Sequence, residues 1–153
     1  RALNFKSHLR GAMQQLPIGA AKSKASKTRK RESTDVAFVK RVVFLGTSSG
    51  RPTRERNTSA VALQLNTNRA LLFDCGEATQ HQLMRLKGLG AGQIDQVFLT
   101  HLHGDHCFGI FGFLSSIALG GVRSEKVHLH GPAGTRKLLQ TIADLTASDF
   151  SHV

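Results

Sequence analysis

The segment Thr100-His101-Leu102-His103-Gly104-Asp105-His106 constrains this chain more than any other. Four side chains of metal-ligating type fall within six positions, directly after Gln96-Val97-Phe98-Leu99, which reads as a short buried strand. Residues 108–119 downstream are apolar and helix-compatible. The segment therefore lies where a strand gives way to a helix, a usual location for sites in α/β folds. In extended backbone the side chains at i and i+2 point the same way, so His101 and His103 are expected to converge on one metal. Asp105 and His106 follow the Gly104 break and are expected to face a second. Three imidazoles and a carboxylate suit zinc, and two metals about 3.5–4 Å apart can clamp both oxygens of a phosphoryl displacement. The plainer reading is a polar loop that happens to hold three histidines; the density of ligands after a buried strand favours metal.

Around this segment the chain alternates strands and helices. Val36-Ala37-Phe38-Val39 and Val42-Val43-Phe44-Leu45 read as strand, followed by the glycine-bracketed, hydroxyl-rich loop from Gly46 to Pro52. Such a loop is either a plain turn or a cradle whose backbone approaches a phosphate. Arg54, Arg56 and Asn57 follow it, and they read either as phosphate contacts or as ordinary surface residues with no specific role. Residues 59–65 alternate as a strand, Asn66-Thr67-Asn68 makes a turn, and Ala70-Leu71-Leu72-Phe73 returns as the hairpin partner. It ends at Asp74, and a carboxylate there is either a helix cap or a group orienting a metal-bound histidine. Residues 79–87 predict a helix stopped by Gly88-Leu89-Gly90, with His81 on its surface. Residues 126–130 predict a further strand and 135–146 a further helix. His128 and His130 stand at i and i+2 in that strand, but no acid follows them closely, so a strand role is favoured over ligation.

The net charge of +11 is concentrated at one end. The first 34 residues hold nine of the 21 Lys and Arg against one acid, Glu32. With little apolar surface to offset ordering entropy, residues 1–34 are expected to be a disordered basic leader, and 35–153 one domain. The leader's composition fits a mitochondrial or chloroplast transit peptide. Lys27-Thr28-Arg29-Lys30-Arg31 also fits a nuclear signal or a nucleic-acid-binding arm, leaving nucleus or cytosol as the other addresses. The chain opens on Arg1 in place of Met, from which a missing or processed N-terminus is expected. No stretch approaches the ~18 apolar residues of a membrane span. Two cysteines, Cys75 and Cys107, make no disulfide framework, and a reducing compartment is the default. Trp and Tyr are absent, so any base stacking would fall to Phe, His or Arg.

Several runs together carry a family resemblance: Val43-Phe44-Leu45-Gly46-Thr47-Ser48-Ser49-Gly50-Arg51-Pro52-Thr53, Arg56-Asn57, Phe73-Asp74-Cys75-Gly76-Glu77, Thr79-Gln80 and the His101 to His106 cluster. Over residues 42–139 the chain resembles the short form of tRNase Z, the tRNA 3′-processing endonucleases of the metallo-β-lactamase fold. The histidine cluster alone marks only that superfamily, which also holds lactonases, thioester hydrolases and phosphodiesterases. The Gly46 loop, the Arg-Asn pair and the Asp-Cys-Gly-Glu run are narrower.

The resemblance implies an α/β fold, the αββα sandwich of the metallo-β-lactamases, of which this chain supplies roughly the N-terminal half. It implies two zinc ions per complete site, His101 and His103 on one and Asp105 and His106 on the other. Asp105 is also the implied proton acceptor for the attacking water, and Asp74 the structural aspartate behind the metals. Ser48, Arg56 and Asn57 are implied at the substrate, precursor tRNA, and the longer protein is expected to be a homodimer. Ala78 stands where the family usually has glycine, which puts the local backbone shape in question. The family's later histidine, bridging aspartate, last histidine, tRNA-gripping arm and proton donor match nothing up to Val153. The chain is therefore expected to be part of an enzyme and, alone, to bind zinc weakly and cut no tRNA. Two other readings stay open: another hydrolase of the same fold, such as a phosphodiesterase or lactonase, and a non-catalytic zinc- or RNA-binding remnant.

Overall fold

The computed structural model describes residues 36–120, 126–151 and 153; the basic leader and His152 lie outside them. The chain divides into two units, Arg1–Phe38 and Val39–Val153. Only residues 36–38 of the first unit are described.

In the second unit five strands form one sheet in chain order: β1 (Val39–Gly46), β2 (Ala60–Leu65), β3 (Ala70–Phe73), β4 (Ile94–Phe98) and β5 (His128–His130). The β1–β2 and β2–β3 pairs are antiparallel, as tight connections such as residues 66–69 allow. β4 and β5 are parallel additions, each requiring a crossover. The first crossover carries α1 (Thr79–Arg85) and a 3₁₀ turn (Ala91–Gln93), the second α2 (Gly104–Cys107) and α3 (Ile110–Leu119). Helix α4 (Thr135–Thr146) follows β5.

The strand register explains where the core lies. Val43, Ala62, Leu72, Val97 and Leu129 are paired in turn across all five strands. They pack with Leu83 of α1 and with Ile110, Phe113, Leu114 and Ile117 of α3 in one apolar cluster. Side chains alternate along each strand, so the neighbouring rows fall on the opposite face. One of these rows reads Phe44, Val61, Phe73, Phe98 and His130, the other Val42, Leu63, Leu71, Gln96 and His128. The face that carries these two rows is open only in part: Phe44 is 69% and Val42 50% exposed, whereas Leu71 and Phe98 are buried.

Some element boundaries depart from those expected. The strand read at residues 36–39 begins only at Val39 and runs unbroken into the one read at 42–45, because Lys40 and Arg41 continue an edge strand whose polar side chains reach solvent. The helix of the apolar run read at 108–119 begins only at Ile110, preceded by the separate short helix α2 that holds Asp105 and His106. Helix α1 stops at Arg85, with Leu86 already extended. Helix α4 spans the residues expected of it.

Ala78, before α1, adopts φ 58°, ψ 20°, a left-handed conformation that costs an L-residue with a Cβ about 1–2 kcal/mol. Glycine would escape that cost and return part of the gain as unfolded-state entropy. Ala78→Gly is accordingly expected to stabilise the fold by roughly 0.5–1 kcal/mol, read from a higher urea midpoint at unchanged slope.

Candidate metal centre

Two loop ends meet at the C-terminal ends of β3 and β4. The first is Asp74-Cys75-Gly76-Glu77 and the second is residues 99–109. Backbone bonds join them: the Cys75 N–H donates to the His106 carbonyl at 2.7 Å, and the Gly109 N–H donates to the Cys75 carbonyl at 2.9 Å. The fit is close enough that a methyl group on Gly109 would overlap the Gly76 carbonyl oxygen. This clasp brings Asp74 against the histidine segment.

Asp74 sits at φ 57°, a conformation Asp tolerates better than most residues. Its carboxylate gathers four polar contacts. Oδ1 accepts from the Thr100 N–H at 2.8 Å and lies 2.9 Å from the Thr100 hydroxyl, which is 3.0 Å from Oδ2. Oδ2 is also 2.8 Å from Nδ1 of His106. Thr100 Oγ1 in turn lies 3.0 Å from Nδ1 of His101. The Asp74 carboxylate thus lies against Thr100 and His106, with no part in capping α1, where Ala78 precedes the first turn.

The three imidazoles form a cluster. The His101 and His103 rings are 4.8 Å apart between centroids, and those of His101 and His106 are 4.0 Å apart. His103 is still extended at φ −66°, ψ 147°, whereas Asp105 and His106 lie in α2, so the change of backbone at Gly104 turns the second pair. Nε2 of His106 and Oδ2 of Asp105 are 3.4 Å apart. Among the described residues no three His, Cys, Asp or Glu side chains close into a complete metal cage. The donor set nonetheless fits a divalent metal chemically: the imidazoles of His101 and His106 have Nδ1 engaged behind them, and a carboxylate lies beside Nε2 of His106.

The Gly46–Pro52 loop is neither a plain turn nor an open cradle. Its start is tied to Asn57, whose carbonyl accepts from the N–H groups of Thr47 at 2.9 Å and Ser48 at 2.8 Å. Its tip reaches the cluster, where the Gly50 N–H donates to Asp105 Oδ2 at 2.7 Å. That bond, aided by nearby His106 and His101 and opposed by desolvation, holds the Asp105 carboxyl below the usual carboxylate range. A depressed pKa contributes stability above the unfolded value and loses it as pH falls through the folded one, so this latch is lost at a lower pH than an ordinary carboxylate contact would be.

The residues expected at the substrate lie in or near this loop, and each has a polar group bonded to another part of the protein. The Ser48 hydroxyl donates to the Arg51 carbonyl at 2.6 Å, and the Asn57 side chain donates to the Glu77 carbonyl at 2.6 Å. Arg56 donates to the Thr47 hydroxyl at 3.3 Å and lines a groove of about 400 Å³ with Arg54, Glu55, Gln82 and Arg85. His130 stacks on Phe98 at 4.6 Å, with its Nε2 2.9 Å from Gln96 Oε1, in the strand role expected. A wider groove of about 830 Å³ between β5, α4, residues 148–151 and Val153 includes His128 and His130 but none of the four candidate ligands. Thr100 and the Gly50 N–H escaped the sequence reading. A hydroxyl directly before His101 was a usable signal for the first, whereas nothing local marks the second.

Both cysteines are buried behind the cluster. Burial pushes the Cys75 thiol up to about 12, and burial raises Cys107 too. A thiol raised in the folded state gives stability that is full below its unfolded value, about 9, and lost as pH rises toward 12. At pH about 8, Cys75 is expected to resist iodoacetamide in the folded protein and to react after denaturation, checked by peptide mass spectrometry.

Residues 53–146, more than half of the chain, match the model of the metallo-beta-lactamase superfamily. The chain belongs to that superfamily. Within it, this metallo-β-lactamase-superfamily chain is 48% identical over 112 residues to a ribonuclease Z of Acaryochloris marina, covering 72% of this chain and 35% of that protein. It is 47% identical over 107 residues to a ribonuclease BN of Erwinia tasmaniensis, covering 69% and 34%. The solved structure of human tRNase Z, short form, superposes with a TM-score of 0.65 at 42% identity, covering 72% of this chain and 40% of that one. The chain thus spans about a third of the length of the curated relatives it matches. Metal dependence comes with the superfamily. No helix among the described residues is long and apolar enough to cross a membrane.

Proposed function

We propose that this chain carries part of the active site of a zinc-dependent endonuclease that removes the 3′ trailer from precursor tRNA. The observation that carries the reading is the joint geometry of Asp74, the three clustered imidazoles and Asp105. It occurs in a chain 48% identical over 112 residues to a protein named ribonuclease Z.

The donor atoms support zinc. Two ligands about 2.0–2.1 Å from one tetrahedral zinc lie roughly 3.3–3.4 Å from each other. His106 Nε2 and Asp105 Oδ2 are 3.4 Å apart, as partners on one ion would be. His101 and His103 would hold the other ion. Zinc, when bound, lowers the pKa of a water to about 7 and offsets charge building on the phosphoryl oxygens. Asp105 accepts the proton of the attacking water, Asp74 holds His106 in place, and Arg54 and Arg56 offer cations to the phosphates of the RNA. Ser48 and Asn57 act by shaping the loop that carries those arginines and Gly50.

A homodimer in the longer protein and an organellar address are parts of the same proposal, open to sedimentation and to a fluorescent fusion of the leader. The incomplete cage favours a second reading for the isolated chain, a non-catalytic remnant. The deciding experiment compares the 153-residue chain with a version extended to the relatives' length, assayed for zinc content and on 3′-extended tRNA and a generic ester. The extended protein is expected to hold two zincs and cut the RNA, and the shorter chain to hold zinc weakly and cut nothing. Ester turnover without RNA cleavage in the extended protein would favour another hydrolase of the fold.

A further inference from the structure

The hydrogen positions around Asp74 follow from counting protons. A carboxylate can only accept, so the close approach of His106 Nδ1 to Asp74 Oδ2, 2.8 Å, requires Nδ1 of that neutral ring to carry the hydrogen. The lone pair of His106 is then on Nε2, on the side of Asp105. Thr100 has one hydroxyl proton and two neighbours competing for it. Its Oγ1 lies 2.9 and 3.0 Å from the two Asp74 oxygens and 3.0 Å from His101 Nδ1. The charged carboxylate is the stronger acceptor, so the proton goes there. The lone pairs of Oγ1 are left toward His101, whose Nδ1 must donate. A second bond, from the Thr100 N–H to Asp74 Oδ1 at 2.8 Å, keeps the threonine in register.

We propose that Thr100 is a positioning residue that relays Asp74 to His101, fixing the Nδ1–H tautomer and presenting Nε2 as the metal donor. One carboxylate thereby sets the tautomers of two histidines on different arms of the cluster, His106 directly and His101 through the hydroxyl. The purpose of this arrangement rests on the metal reading of the cluster given above, but the tautomers exist without metal and are read without it. A neutral histidine free of such a bond interchanges its tautomers, and its metal-binding nitrogen is then only fractionally available.

The test uses the 153-residue chain without metal at pH about 8.5, where an ordinary imidazole is neutral. Long-range 1H–15N correlation assigns the protonated nitrogen of each ring in wild type, Thr100→Val and Thr100→Ser. Wild type is expected to show Nδ1–H at both His101 and His106. Thr100→Val, nearly the same shape without the hydroxyl, is expected to move His101 toward a mixture and leave His106 as it was. Thr100→Ser is expected to restore His101. A general loss of structure would disturb both rings together, so the contrast between them isolates the relay. In zinc titrations of the extended protein, Thr100→Val is expected to weaken affinity about 10–100-fold and Thr100→Ser to recover most of it. Nε2–H at His101 in wild type, or a Thr100→Val spectrum with His101 unchanged, would overturn the relay. Normal tautomers beside a failure to cut RNA would count against the proposed function and leave the relay standing.

Discussion

Asp74→Ala is expected to cost the fold about 3–4 kcal/mol and to weaken metal binding about 10–100-fold. The substitution strands the Thr100 N–H, the Thr100 hydroxyl and His106 Nδ1, all of which meet on the carboxylate of a residue only 8% exposed. A buried donor left without a partner costs about 1–3 kcal/mol, and water entering from the half-open side around His106 offsets part of the sum. Alanine at φ 57° adds backbone strain of its own. Asp74→Asn separates the two causes, because asparagine tolerates that backbone and keeps one acceptor oxygen while placing an amide donor among donors. About half the alanine loss is expected for it. Urea midpoints of the three proteins measure the series, and zinc titration reads the second effect. A loss below about 1 kcal/mol for alanine would mean that the network does not hold the two loop ends together.

The second large effect is expected at Asp105. In the version extended to the relatives' length, Asp105→Ala should lower RNA cleavage at least about 10³-fold, since it removes a proposed metal donor and the proposed proton acceptor at once. The Gly50 N–H complicates the division of labour. By holding the carboxyl below its usual range it keeps the group charged, which suits a ligand, and makes it a weaker base. Asp105→Asn retains a ligating oxygen without the basicity. Metal content near wild type with turnover as low as in the alanine variant would assign the loss to the proton. Metal loss in both would assign it to the ligand. Turnover within tenfold of wild type in the alanine variant would remove Asp105 from the mechanism.

Much of this was legible in the residues because it depends on local rules. The alternation in residues 59–65, the turn at Asn66-Thr67-Asn68 and the return at residues 70–73 predict a hairpin from side-chain period and turn chemistry alone, and the structure has it as β2 and β3. The i, i+2 spacing likewise anticipates the meeting of His101 and His103. What was not legible depends on approach between distant segments. No pattern near Gly50 announces that its N–H will reach Asp105, 55 residues on. Ser48 and Asn57 look the same in sequence whether their polar groups face a ligand or close their own loop. The parallel placement of β5 beside β4 follows a crossover, and a strand three residues long has too little pattern to declare its neighbour. At Ala78, the departure from glycine pointed to a place where the backbone adopts a conformation costly to alanine.

The clasp between Cys75 and residues 106 and 109 has a consequence for how such a site tolerates change. Asp74 is brought to His106 by amide groups, a donor and an acceptor that every residue except proline possesses. The alignment is thus indifferent to the chemistry of most side chains along it: positions 75 and 107 can vary within the buried space they fill while the distance between carboxylate and imidazole stays put. Glycine at 109 is demanded by letter, because any larger residue would strike the opposite carbonyl. A site whose spacing is written in the main chain leaves its surrounding side chains free to be recruited for different substrates.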